Sequence, residues 1–275
     1  MSRRHFTFTC EGAELAGTLD TADAGTGLLI VSGGNELRSG PWGSQARLAQ
    51  LIATAGFPVM RFDRRGVGDS SGDNAGFEAS AADIAAALRA FRSHVPTLRR
   101  VVAFGNCDAA SALMLAGGAG CDALVLANPW TFEPEADADA GQAAADEPES
   151  AATPMPPSAL RRHYFKRLTN PRAIWRLITG KVDVGRMASS IVEAARPDAG
   201  PGPLATRMAE SLAAFGGPVT ILLAANDRTA QAFIASWDRD DARLRRCPDA
   251  SHSFVEPQAR IWLQGQILAA LRNPG

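Results

Sequence analysis

Residues 99–117, RRVVAFGNCDAASALMLAG, leave this chain few ways to fold. Val101, Val102, Ala103 and Phe104 make a short apolar, β-branched run of the kind that forms a buried strand. From Ala109 to Leu115 the chain is rich in Ala and Leu, which suits a buried helix. So little lies between the two that the chain has to pass from strand to helix through a sharp turn. Small residues, Gly105 and Ala109, stand two before and two after its tip, and Cys107 occupies the tip. That geometry lifts the Cys107 sulfur above the carboxyl edge of a sheet. It also sets the backbone amide of Asp108 at the start of a helix, where it can donate to a developing negative charge. By itself the pattern G-x-C-x-A carries little weight, because a free cysteine is often a small buried hydrophobe. Its meaning depends on what precedes and follows it.

Upstream, residues 5–9 alternate and residues 14–19 follow a glycine turn, so an N-terminal antiparallel hairpin is expected. Residues 27–31 are continuously apolar, as in a strand buried on both faces. They run into Ser32-Gly33-Gly34-Asn35, a glycine-rich turn at a strand's carboxyl end, where the amide of Gly34 or of Asn35 is placed to serve as a second oxyanion donor. A helix over 44–55 and a strand over 58–63 come next, then D-R-R-G-V-G-D-S-S-G. The expected task of that run is structural: Asp63 and Arg65 tie a tight turn together while Gly66 and Gly68 take backbone conformations closed to other residues. It lacks the G-K-S/T of a phosphate loop. An amphipathic helix over 77–94 leads to the cysteine turn, and a strand over 123–127 ends in Asn128-Pro129-Trp130. Serial strand–helix units of this kind predict an open, doubly wound, mostly parallel sheet.

Downstream of a long interruption, residues 219–224 resume as a strand closed by Asn226-Asp227-Arg228. A last strand over 243–247 leads into Pro248-Asp249-Ala250-Ser251-His252, and a helix over 261–271 follows. Nucleophile, acid and base therefore fall in the order Cys107, Asp227, His252, each at the carboxyl end of a parallel strand. This is the chain order of α/β-hydrolases and differs from those of the two main serine-protease folds. His5 sits in an N-terminal strand, His94 ends a helix and His163 lies in the interruption, so His252 alone among the four is expected to overhang the turn. A thiol with a reference pKa of roughly 8.5 needs a neighbouring base to be a nucleophile at neutral pH, and an imidazole oriented by a carboxylate supplies one. Ser111, a turn into the helix, is discounted as a substitute.

The interruption divides in two. Residues 133–150 carry seven acidic side chains and no basic ones, and with 151–157 they read as a mobile segment. Residues 158–195 read as basic, aromatic-bearing helices. The chain is accordingly divided into an α/β-hydrolase core over 1–130 and 216–275 and a lid insert over 131–215. Arg162, Arg172 and Arg176 either solvate a helix face or face the mouth of the site and attract an anionic acyl group.

A net charge of −1 gives no general attraction to nucleic acid or anionic membrane. No run of apolar residues approaches the roughly 20 of a membrane span, and no apolar segment follows the basic start, so a cytoplasmic location is expected. Four cysteines without metal-ligand spacing predict neither a disulfide framework nor a metal, and no cofactor is implied. The oligomeric state is not encoded.

A cysteine at such a turn is similar to dienelactone hydrolases, whose chain is shorter and lacks a basic lid. The fuller resemblance is to the exosortase A system-associated hydrolases, type 1. GGNELRSGPWGSQARLAQLIATAGFPVMRFDRRGVGDSSG, GNCDAAS and RRHYFKRLTNPRAIWRLITGKVDV resemble their oxyanion loop, elbow and lid, whereas 133–157 looks like an insertion. The resemblance implies a protein of α/β-hydrolase fold, encoded with exopolysaccharide and protein-sorting machinery, its substrate unsettled; the site chemistry itself points to a small-molecule or carrier-linked acyl substrate. On the basis of the resemblance Arg38 becomes a candidate pocket residue, with helix packing or surface charge as the alternative; Trp130, after the strand over 123–127, is a further substrate-binding candidate. The expected chemistry is hydrolysis of an ester or thioester. Acyl transfer by the same three residues, or a non-catalytic binding role on the same fold, are the alternatives.

Overall fold

The computed structural model describes residues 2–132 and 202–273. Eight strands form one sheet: β1 (Arg3–Cys10), β2 (Ala13–Asp20), β3 (Thr26–Val31), β4 (Val59–Phe62), β5 (Arg100–Asn106), β6 (Ala123–Ala127), β7 (Val219–Ala224) and β8 (Leu244–Cys247). Their spatial order is β1-β2-β4-β3-β5-β6-β7-β8. The expected hairpin is present, with β1 and β2 antiparallel and Arg3 opposite Asp20. β2 also runs antiparallel to β4, and every pairing from β4 through β8 is parallel. The chain steps from β3 to β4 on one side and resumes at β5 on the other. The reversal of winding thus falls between β3 and β5, where open α/β sheets bind ligands at their carboxyl edge.

Alternation along the central strands sends successive side chains to opposite faces. Val101 and Ala103 join a core with α2 (Ala81–His94) and α3 (Asp108–Leu115), while Val102 and Phe104 join one with α1 (Ser44–Thr54) and α6 (Pro257–Arg272). Both faces are therefore covered, as the continuous apolar strands anticipate. α4 (Pro203–Ala213) lies inside the range assigned to the insert. Yet it buries Leu204, Met208 and Leu212 in the same core as α3, as an element of the sheet's cover. α5 (Arg228–Ala235) adds Phe233 to that core.

The turn after β4 is tied differently from expectation. The buried carboxylate of Asp63 is gripped by Arg38 through both its backbone amide and its guanidinium, and by the amide of Asp69. Arg65 points elsewhere, to Asp83 at 2.7 Å and Glu11 at 2.9 Å. Arg38 also reaches Asp69 at 2.9 Å and donates from Nε to Thr18 Oγ1 at 3.0 Å. Among the described residues its guanidinium is committed to that turn, the structural role Arg38 shows here. A buried carboxylate needs a cation within reach, and tertiary packing selects which one.

Candidate active site

Gly105 sets the angle at which β5 gives way to α3: a Cβ there would stand 2.7 Å from the carbonyl carbon of Ala109. Glycine is required by this close approach. Cys107 then takes φ 60° and ψ −129°, a conformation that costs a non-glycine residue on the order of 1–3 kcal/mol and is held only where its surroundings enforce it. The enforcement is visible in its backbone. Its amide donates to Ala127 O at 3.0 Å, fastening the turn to β6, and its carbonyl accepts from Ala110 and Ser111 of α3. The side chain is nearly buried, and it makes a hydrogen bond with His252.

Asp227 caps α5, accepting from the amide of Ala230 at 2.9 Å through Oδ2. Its other oxygen, Oδ1, lies 3.0 Å from His252 Nδ1. One carboxylate thus starts a helix and fixes an imidazole. With Nδ1 so engaged, Nε2 is the nitrogen left to meet Cys107. The His252 side chain is 22% exposed and Asp227 only 7%. Burial opposes the charged imidazole, but hydrogen bonds to Asp227 and Cys107, together with their negative charges, outweigh it and push the His252 pKa up to about 11. The Asp227 carboxylate, and the Cys107 sulfur once it has given up its proton, both favour the imidazolium form of His252.

On the opposite side of Cys107, Asp108 contributes more than the backbone amide expected of it. Its Oδ1 accepts from the Gly34 amide at 2.7 Å, and its Oδ2 lies 3.2 Å from Arg64 Nη2. The same Nη2 donates to Gly34 O at 2.5 Å, and Nη1 donates to Ser80 Oγ at 3.0 Å. Both ends of the Gly34 peptide unit are held. Gly33 has to be glycine here, since a Cβ would stand 2.9 Å from the backbone oxygen of Asn106 as well as 2.6 Å from Asp108 Oδ1. Of the two amides proposed as second donor, Gly34's is engaged by Asp108. Asn35's makes no hydrogen bond among the described residues. The Asp108 amide, first in α3, has no intrahelical partner.

Residues 28–261 match a family model, the alpha/beta hydrolase family. The chain belongs to the alpha/beta hydrolase family. Solved structures of similar fold include the esterase Pf2001 of Pyrococcus furiosus, at 13% identity and a TM-score of 0.60, with 99% of this chain and 92% of that one covered. XC6422 of Xanthomonas campestris, an α/β serine hydrolase without lid, matches at 15% identity and a TM-score of 0.57 over 100% of this chain and 98% of that one. Est1E of Butyrivibrio proteoclasticus, with ferulic acid bound, matches at 14% and 0.56 over 98% and 100%. None of the curated protein sequences matches this chain.

Within this α/β-hydrolase frame the remaining candidates are distributed as follows. Ser111 is buried and donates to Trp130 O at 2.7 Å, so its hydroxyl is occupied inside α3. Trp130 packs on the α3 side of the core and donates from Nε1 to Phe132 O at 2.9 Å. His5 bonds Thr18 in the hairpin, and the His94 ring lies 4.0 Å from that of Phe6. Arg162, Arg172, Arg176, His163, the acidic segment 133–157 and the helices expected over 158–195 lie outside the described residues. Arg64 escaped the sequence reading. The signal was the doubled arginine after β4, which was assigned wholly to the turn. No helix among the described residues is long and apolar enough to cross a membrane.

Proposed function

We propose that this α/β-hydrolase cleaves an ester or thioester through an acyl-cysteine intermediate. The observation that carries the reading is a thiol at a strained strand-to-helix turn, hydrogen-bonded to an imidazole whose other nitrogen lies 3.0 Å from a buried carboxylate. In that reading His252 takes the Cys107 proton and the thiolate adds to the substrate carbonyl. The oxyanion is met by the amide of Asp108 and a second amide from the loop after β3. Collapse expels the alcohol or thiol, which receives its proton from the imidazolium. Water deprotonated by His252 then attacks the acyl-cysteine, and collapse of that second adduct frees the acid and restores the thiol.

The fold neighbours named as esterases and serine hydrolases support hydrolysis as the reaction class, and the choice of sulfur over oxygen is the part specific to this chain. Acyl transfer would use the same intermediate with an alcohol or amine in place of water. The resemblance to exosortase-associated hydrolases supports an acyl substrate from exopolysaccharide or sorting chemistry. Arg162, Arg172 and Arg176 of the insert are the candidates for holding an anionic acyl group or carrier.

The test is a panel of acyl esters and thioesters, neutral and anionic, run with the parent and with Cys107→Ala. The expected outcome is turnover that Cys107→Ala abolishes, with a stoichiometric acyl adduct on Cys107 seen by mass spectrometry. Turnover unchanged in Cys107→Ala would overturn the acyl-cysteine mechanism.

A further inference from the structure

At the end of β6, Asn128 is fully buried and holds φ 42°, a left-handed conformation that asparagine tolerates better than most non-glycine residues. Every polar atom of its side chain is used. Oδ1 accepts from the amide of Ala224 at 2.8 Å. Because that partner can only donate, the orientation of the amide group is fixed, and Nδ2 faces the other way. There it donates to His252 O at 2.9 Å and to Asn106 Oδ1 at 3.1 Å. Asn106 Nδ2 makes a longer contact, 3.4 Å, with the same His252 carbonyl. Asn106 immediately precedes Cys107, and Ala224 lies three residues before Asp227. One buried amide therefore joins the strand ends that carry the nucleophile and the acid to the main chain of the base.

The rest of the His252 loop is pinned on either side of that carbonyl. Asn226 N donates to Ala250 O at 3.0 Å, and Ser251 N reaches the Glu256 carboxylate at 3.2 Å. Phe254 is buried and stacks on Trp262. None of these contacts fixes the rotation of the His252 peptide itself. Among the described residues only the two asparagines do. The bracing is neutral, so among the described residues the groups that raise the His252 pKa are Asp227 and Cys107. An aspartate at 128 would set a carboxylate against two acceptor oxygens and add a third negative charge.

We propose that Asn128, seconded by Asn106, is a positioning residue for the general base: it holds the His252 carbonyl so that the imidazole meets Cys107 and Asp227 together. This rests on the reading of Cys107 as nucleophile. A small misplacement of a reacting group costs on the order of 10²-fold in rate, so a clamp on the base's own main chain acts on chemistry and leaves substrate affinity alone.

The test compares parent, Asn128→Gly and Asn106→Ala. Glycine accepts the left-handed backbone, so Asn128→Gly removes the clamp without adding strain. Each protein is checked for folding by near-ultraviolet circular dichroism, and the rate of Cys107 alkylation by iodoacetamide is then followed from pH 5 to 10. In Asn128→Gly the acid-side midpoint should rise by about one unit, towards the roughly 8.5 of a free thiol. The rate at pH 6 should fall about tenfold, and kcat on any ester turned over should fall with KM unchanged. Asn106→Ala should show the same change at about threefold. A merely structural role would lower the melting temperature and leave the midpoint in place. The proposal is overturned by a folded Asn128→Gly with the parent's midpoint and a rate within twofold of it. If that variant does not fold, the same result in Asn106→Ala overturns it. A parent whose Cys107 alkylates no faster than its other three cysteines would instead bring down the nucleophile reading, and this role with it.

Discussion

Around Cys107 the acid–base side of the site and the oxyanion side are braced by different chemistry. His252 hangs from neutral amides, those of Asn128 and Asn106, whereas the loop at Gly34 is gripped by an ion pair, Asp108 with Arg64. The contrast follows what each side has to do. In the proposed reaction the imidazole gains and loses a proton in every cycle, and a second fixed charge in the bracing would add to the bias towards the imidazolium that Asp227 already sets. On the oxyanion side the proposed reaction would build negative charge transiently beside a loop whose amides must not move. A lone carboxylate there would repel the oxyanion, and a lone buried guanidinium would be costly to desolvate. Paired, the two hold the Gly34 peptide from both ends and leave little net charge.

Replacing Asp227 by Asn should have the largest effect. The amide oxygen can still accept from Ala230 and cap α5, so the fold is kept while the charge that stabilises the imidazolium is removed. We expect kcat to fall by about 10³-fold or more, the scale found when the orienting acid of such a triad is neutralised. The melting temperature should hardly change. Equal kcat in parent and Asp227→Asn would mean that some other group orients His252, and the acid–base side would have to be redrawn.

On the oxyanion side, Asp108→Ala should reduce kcat about 10- to 100-fold. It releases the loop without deleting a donor, whereas losing a donor outright costs on the order of 10²–10³. Asp108→Asn keeps an acceptor for the Gly34 amide and should retain most of the rate. The comparison between the two sides would break if Asp108→Ala were faster than the parent. The carboxylate would then be competing with the substrate for the Gly34 amide, and it would be a plug instead of a brace.

Much of this was legible in residues close together in the chain. The turn at Cys107 announces itself because strand, small residues and helix follow one another directly, and the antiparallel hairpin shows in its alternation. Asp227 and His252 could be placed because each follows a strand that periodicity identifies. The supports could not, because each joins residues far apart in sequence: Gly34 with Asp108, Arg64 with Asp108, Asn128 with His252. Asp63 illustrates the limit. Its need for a cation was readable, but Arg38 and Arg65 were both in range, and only packing sent Arg65 to Asp83 and Arg38 to the turn. α4 was hidden for a similar reason. It follows a long insert, and Leu204, Met208 and Leu212 have helical spacing that does not say what they pack against.

The smallest effect expected is on stability, and it separates the two anions that hold His252. Its pKa in the folded protein, about 11, stands above the 6.5 of an unperturbed histidine because Asp227 and Cys107 together outweigh burial. The folded state therefore binds that proton more tightly than the unfolded chain. The resulting stabilisation is complete below about pH 6.5, declines above it, and is gone once the pH has passed about 11. Melting temperatures of the parent and of His252→Gln should accordingly differ most at pH 6 and converge as the pH rises. In a chain of this size each kcal/mol corresponds to about 2–4 °C. Repeating the pair in a Cys107→Ala background removes one anion, so the two curves should converge at a lower pH. If convergence came at the same pH with and without Cys107, Asp227 alone would set the charge on His252. The thiol would then contribute nothing to holding the imidazolium, and the bracing of the base by Asn128 would serve its contact with Asp227 only.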